Sequence, residues 1–171
     1  MRKTGIISAM WVEAEKLHMA MEQDTVKEYE YNGMKFYEGR LYGCDVVLSI
    51  CGVGKINAAI YTQLMIDKFA PDEIIHTGIA GSLDPALFVT DAASKTRLKE
   101  QFPMALCVEM ESCAVAHTAF VNRIPIAVVR CISDLADGAA HEDYDEFEKK
   151  ASDTAAEIVM KTLKKIGENR G

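Results

Sequence analysis

Three stretches of this 171-residue sequence bring carboxylates to places where a chain leaves a strand. Glu13 follows Ser8-Ala9-Met10, Glu109 and Glu111 flank Met110, and Asp134 follows Arg130 and Ser133. An arginine and a carboxylate at the end of an apolar strand must be solvated, paired or used, because burying either alone costs several kcal/mol. A plain Arg–Asp pair closing the strand end is the structural alternative. For Glu13, and for Glu109 with Glu111, it is a favourable acid in a first helical turn. If the strand ends lie side by side, Glu13, Glu111 and Asp134 share one crevice. Three carboxylates there suit either a metal ion or general acid/base work on a neutral, hydroxyl-rich substrate.

The elements that must position these groups can be read from periodicity. A short strand over Thr4 to Ile7 turns into a helix from Trp11 to about Met21. Strands near Thr25 to Tyr31 and Met34 to Leu41 flank Asn32-Gly33, a type I′ hairpin signal, and Tyr42-Gly43 makes another tight connection into Val46 to Ile50. A helix to about Phe69 carries Ile60, Leu64, Met65 and Phe69 at helical spacing. Pro71 to Thr77 reads as a strand ending in a glycine turn, Gly78 to Ser82. A helix near Ala92 to Gln101 precedes a strand from Ala105 to Val108 and a helix from about Cys113 to Asn122. Ile126 to Val129 is continuously apolar and β-branched apart from Ala127, the pattern of a strand covered on both faces. Residues 137–142 read as a loop. Tyr144 to Ile166 closes the chain as an amphipathic helix with Phe147, Ala151, Ala155, Ile158, Val159 and Leu163 on one stripe. Strands alternating with helices predict one three-layer α/β/α domain, and the hairpins make its central sheet mixed.

Composition narrows the function further. With 49% hydrophobic residues the chain can bury a sizeable core, and a net charge of −7 is the wrong sign for a general nucleic-acid binder. Cys44, Cys51, Cys107, Cys113 and Cys131 are odd in number and form no CxxC pair, which favours free thiols in a reducing cytoplasm. No stretch reads as a signal peptide or a membrane span. His18, His76, His117 and His141 are scattered without metal-ligand spacing; His76 reads as a satisfied core or loop histidine and His117 as a packing residue. The Gly52-Val53-Gly54 turn lacks both the third glycine of a dinucleotide fingerprint and the ending of a P-loop. It is expected to approach a ligand through its backbone instead.

Gly5-Ile-Ile-Ser-Ala-Met-x-x-Glu13, Gly52-Val-Gly-Lys-Ile-Asn-Ala-Ala59, Thr77-Gly-Ile-Ala-Gly81, Val108-Glu-Met-Glu111, Arg130-Cys-Ile-Ser-Asp-Leu-Ala-Asp137 and Asp145-Glu-Phe147 occur in that order. Together they resemble the 5′-methylthioadenosine/S-adenosylhomocysteine nucleosidases, members of the purine nucleoside phosphorylase-like superfamily. The resemblance implies a nucleoside phosphorylase-like fold and hydrolysis of an N-glycosidic bond, with no cofactor or metal, a small nucleoside and water as partners, and a homodimer. It also implies Asp134 as the acid that protonates N7 of adenine and Glu13 as the base that orients or activates water. Glu111 would take the ribose hydroxyls with Met110 against the sugar, and Ser133 and Arg130 would support the acid and the base. Phe88 and Val89 would hold adenine, Met10 and Tyr144 would line an apolar 5′-alkylthio pocket, and Ile79 and Gly81 would border the substrate.

Two departures stand out. Ile79 occupies a position where many relatives carry serine. The chain is also shorter than the family by on the order of 60 residues, with the shortfall between Leu87 and Phe88. A segment missing from the sequence as read is expected there rather than a true deletion, since removing central strands would leave long unpaired edges. A phosphorolytic relative is disfavoured because only Lys55 lies near the glycine turns, with no arginine to bind phosphate. A futalosine-type substrate and a non-catalytic nucleoside-binding protein are the remaining alternatives, and the latter would be expected to lack Glu13 or Asp134.

Overall fold

A computed structural model describes residues 2–82, 92–132 and 144–168, with the side chains of 92–96 and 144–145 outside that description. In chain order the elements are β1 (Lys3–Ser8), α1 (Trp11–Ala20), a 3-10 turn (Gln23–Thr25), β2 (Lys27–Tyr31), β3 (Met34–Leu41), β4 (Cys44–Ile50) and α2 (Lys55–Phe69). They continue as β5 (Glu73–Ser82), α3 (Ala92–Gln101), β6 (Cys107–Val108), α4 (Ser112–Val121), β7 (Ile126–Ile132) and α5 (Tyr144–Glu168).

The sheet runs β2-β3-β4-β1-β5, and both β6 and β7 pair with β5. β1 lies parallel to β4 and β5, and β5 parallel to β7, whereas β2/β3, β3/β4 and β5/β6 are antiparallel. Asn32-Gly33 and Tyr42-Gly43 both take positive φ at their two positions, as two-residue hairpins with the twist of flanking strands require.

Alternation along the strands divides the core. Ile6, Val46, Leu48 and Ile75 face one side with Ala14 and Leu17 of α1 and Ala156, Val159 and Leu163 of α5. Ile7, Val47 and Ile74 face the other side with Ala58, Met65 and Phe69 of α2 and Val115 and Ala119 of α4. Each such buried aliphatic side chain is worth about 1.5–3 kcal/mol of burial. The three-layer α/β/α arrangement with a mixed sheet follows.

Several local expectations change. Gly78 to Ser82 is not a turn but the second half of β5, because its backbone pairs with β7 and then β6. β7 is not covered on both faces: among the described residues it pairs with β5 alone, Ala127 is exposed and Val128 is 45% exposed. A strand at the margin of a sheet meets its covering helices on part of its width only. The strand expected from Ala105 shrinks to Cys107–Val108, since β5 has just two residues left to pair there. His117 is exposed rather than packed, and Ile60 and Ile158 also lie on solvent-facing parts of their helices. The loop expected at 137–142 lies outside the described residues.

Candidate active site

The parallel register sets the carboxyl ends of β1, β4, β5 and β7 along one rim, with Ser8 beside Ile50, and Gly78 beside Arg130. Such rims form the ligand crevice of open α/β sheets. Glu13 is buried there on the first turn of α1. Its Oε2 accepts the N–H groups of Ala9 and Met10, both at 2.9 Å, which closes the helix N-terminus in the manner of a capping acid. Its Oε1 accepts the N–H of Ile79 at 2.9 Å. A capping acid has no need of that last bond, which ties the carboxylate to a strand 66 positions away in sequence.

Gly78 leaves room for both Glu13 and Arg130. A Cβ at Gly78 would stand against both Arg130 Nη1 and Glu13 Oε1, and 2.7 Å from Glu13 Cδ. The glycine therefore serves a close approach of two side chains rather than a turn. The arginine's other nitrogen, Nη2, donates to Glu109 Oε2 at 2.8 Å and to Ser112 Oγ at 3.0 Å, and lies against the His76 ring. Burial pushes the Glu109 carboxyl up, but the N–H groups of Ser112 and Glu111, the Ser112 hydroxyl and Arg130 outweigh it and hold it below the usual carboxylate range. His76, fully buried, is held neutral: burial first and the Arg130 charge second lower it to about 3, with Glu109 opposing.

Glu111 stands at the start of α4, and its Oε1 accepts the Gly54 N–H at 2.7 Å. Gly54 has φ +107°, which glycine alone tolerates without strain, and in that conformation its N–H anchors the Glu111 carboxylate. Met110 beside it is half-exposed, as is Val53 on the turn. Cys51 lies within the field of the same charges. Burial and the Glu111 and Glu13 carboxylates push its thiol up to about 12 despite Arg130, so it offers no thiolate nucleophile. None of the five cysteines is in a disulfide among the described residues. Among the described residues, no group of three or more His, Cys, Asp or Glu side chains is placed to hold a metal ion.

Of the residues expected at the site, Met10, Glu13, Ile79 and Arg130 come together at this rim, and Glu111 joins them through the Gly54 turn. Gly81 pairs with Val108 further along β5, just before Met110. Phe88, Val89, Ser133 and Asp134 lie outside the described residues, as does the side chain of Tyr144. Glu109, His76 and Ser112 carry more of the geometry than their sequence context suggested. The only signal for Glu109 was its cost at a strand-to-helix junction, and His76 sits in an apolar strand that gives no hint of Arg130 beside it.

The model of the Phosphorylase superfamily matches this chain over residues 3–93 and 86–164, and the chain belongs to that superfamily. It is similar to the 5′-methylthioadenosine/S-adenosylhomocysteine nucleosidase of Staphylococcus carnosus, 29% identical over 228 residues that take in 95% of this chain and 99% of the relative. The nucleosidase of Neisseria meningitidis, solved in complex with methylthio-immucillin-A, superposes with a TM-score of 0.85 at 26% identity, covering 96% of this chain and 100% of the other. A futalosine hydrolase of Helicobacter pylori shares the fold, at a TM-score of 0.80 and 21% identity. Since 228 aligned positions exceed the 171 residues present, the Staphylococcus relative carries residues for which this chain has no counterpart.

Proposed function

We propose that the chain hydrolyses the N-glycosidic bond of 5′-methylthioadenosine and S-adenosylhomocysteine, releasing adenine and the 5′-thioribose product. The observation that carries this is the Glu13 carboxylate, fixed by the N–H groups of Ala9 and Met10 between β1 and α1 and of Ile79 on β5, with Arg130 on the same bare face of Gly78. A carboxylate so fixed can orient a water and take its proton as the water oxygen bonds to C1′. The electron pair of the breaking bond passes to the purine, and Asp134 supplies the proton to N7. Placing acid and base at opposite ends of one displacement addresses both halves of the barrier. Glu111, with Oε1 held by Gly54, presents its other oxygen to the ribose hydroxyls, and Met110 packs against the sugar. Met10 and Tyr144 line the 5′ pocket, Phe88 and Val89 hold adenine, Ile79 and Gly81 border the substrate, and Ser133 supports Asp134.

The chain is one domain that lacks, between Leu87 and Phe88, a segment its relatives carry. The two stretches matched by the superfamily model meet at residues 86–93, which supports that position. It acts in the cytoplasm as a homodimer on a small nucleoside and water, without nucleic acid, membrane or cofactor; its charge of −7 and free cysteines fit this setting.

The test is to incubate the purified chain with methylthioadenosine in phosphate-free buffer and again with added phosphate. Adenine with methylthioribose at equal rates in both is the expected result. Release that requires phosphate and yields a ribose 1-phosphate would make the chain a phosphorylase, and no release in either would end the enzymatic proposal.

A further inference from the structure

His76 is a buried ionisable side chain that the proposed chemistry does not use. It lies on β5, two residues before Gly78, and its neighbours in space are Arg130 and Ser112. Arg130 Nη2 is 3.1 Å from Nδ1 and 3.1 Å from Nε2 of the imidazole. Those two nitrogens flank a single carbon, and an in-plane donor equidistant from both would be driven onto it. The guanidinium nitrogen therefore lies over the ring face, the stacked arrangement that arginine makes with flat side chains. Ser112 Oγ completes a triangle, 3.0 Å from Arg130 Nη2 and 3.2 Å from His76 Nδ1. Glu109 closes the group with its 2.8 Å ion pair to the same nitrogen.

Every one of these contacts falls on Nη2. Nε of Arg130 is buried without a partner among the described residues, and Nη1 is the nitrogen that, with Glu13 Oε1, lies against the bare Cβ position of Gly78. The guanidinium is planar and rigid, so fixing one nitrogen from a ring face, a hydroxyl and a carboxylate also fixes the direction of the other. An ion pair with Glu109 alone would leave the plane free to rotate about that contact.

We propose that His76 and Ser112 are positioning residues: they set the plane of the Arg130 guanidinium and thereby the place of the Glu13 carboxylate at which water is activated. This deepens the hydrolase proposal and rests on it. Glu109 supplies the counter-charge, while the imidazole and the hydroxyl supply orientation. Their effect therefore falls on the chemical step rather than on substrate binding.

Steady-state hydrolysis of methylthioadenosine by the full chain tests this, using His76→Leu, His76→Gln and Ser112→Ala, each checked for folding by its thermal midpoint. A misplaced catalytic group typically costs on the order of tenfold or more, so His76→Leu is expected to lower kcat about tenfold with KM within about threefold. His76→Gln, which returns a neutral planar group of similar size, is expected to recover kcat to within about threefold of the parent, and Ser112→Ala to lower it about threefold. A folded His76→Leu with the parent's kcat overturns the proposal, as does a loss that falls on KM alone or that glutamine fails to relieve. If the leucine variant does not fold, Ser112→Ala decides, and an unchanged kcat there overturns the role. An active parent with indifferent variants defeats the positioning role alone. An inactive parent defeats the hydrolase proposal and this role with it.

Discussion

Arg130 and Glu13 share the bare face of Gly78, where Nη1 of one and Oε1 of the other occupy the space a side chain would need. Gly78 pairs with Arg130 in the β5/β7 register, and the next residue, Ile79, donates its N–H to Glu13. One strand position thus lies against both a helix-borne carboxylate and a strand-borne cation.

Gly78→Ala is expected to separate the two groups. The new methyl must displace Arg130, Glu13 or both, and overpacking of this kind costs about 1–3 kcal/mol. A shift of a catalytic group by about 1 Å is enough for a loss on the order of 10²-fold. Chemical denaturation and adenine release measured on the same preparation check this; a variant with unchanged kcat would show that Glu13 does not need its present place.

Glu13→Gln changes the hydrogen-bond inventory more than the shape. Glu13 accepts from Ala9, Met10 and Ile79, and an amide must turn its NH₂ toward at least one of those N–H groups. The expected cost is about 1–3 kcal/mol of stability. Activity should fall by about 10²–10⁴, the usual contribution of a general base. Unfolding in urea with parallel rate measurements separates the two effects.

The buried imidazole makes a pH prediction. His76 in the folded chain is depressed from 6.5 to about 3. As pH falls below 6.5 the unfolded chain takes up a proton that the folded chain refuses. Stability is therefore unaffected by this group above 6.5 and falls from there toward pH 3, with a slope of at most about 1.4 kcal/mol per pH unit. Urea unfolding at pH 7.5, 5.5 and 4.5 should show that slope in the parent and a shallower one in His76→Gln. Parallel pH dependences would contradict it.

Val128 and Ile132 on β7 are exposed apolar residues on a strand paired on one side among the described residues. Such edges invite pairing with other chains. Val128→Lys is expected to change stability by no more than about 0.5 kcal/mol, as for an ordinary surface substitution, and to reduce concentration-dependent self-association. Sedimentation velocity over a range of protein concentrations reads this directly.

The sequence was most legible where one local signal decides the structure. Positive φ at Asn32-Gly33 follows from the residue types, and the division of Ile6 from Ile7 between two core layers follows from period two. The glycines at 78 and 81 misled because glycine serves turns and close approaches alike, and only the partner strands reveal which. β7 misled because a run of apolar residues reports affinity for a core, not whether enough chain remains to cover it. Met10, Glu13, Ile79, Glu111 and Arg130, each read from the sequence at or just beyond a strand end, lie along one rim. The partners Glu109, His76 and Ser112 were hidden, because their roles arise from register between β5 and β7 and from the start of α4.

The most direct measurement is the rate of adenine release from methylthioadenosine without phosphate by the parent chain, Glu13→Gln and Asp134→Asn, after the intact mass is checked. Release by the parent and a fall of about 10²–10⁴ in each variant are expected, as for loss of a general base or a general acid. A parent of the correct mass that releases no adenine, or variants that match an active parent, would contradict this.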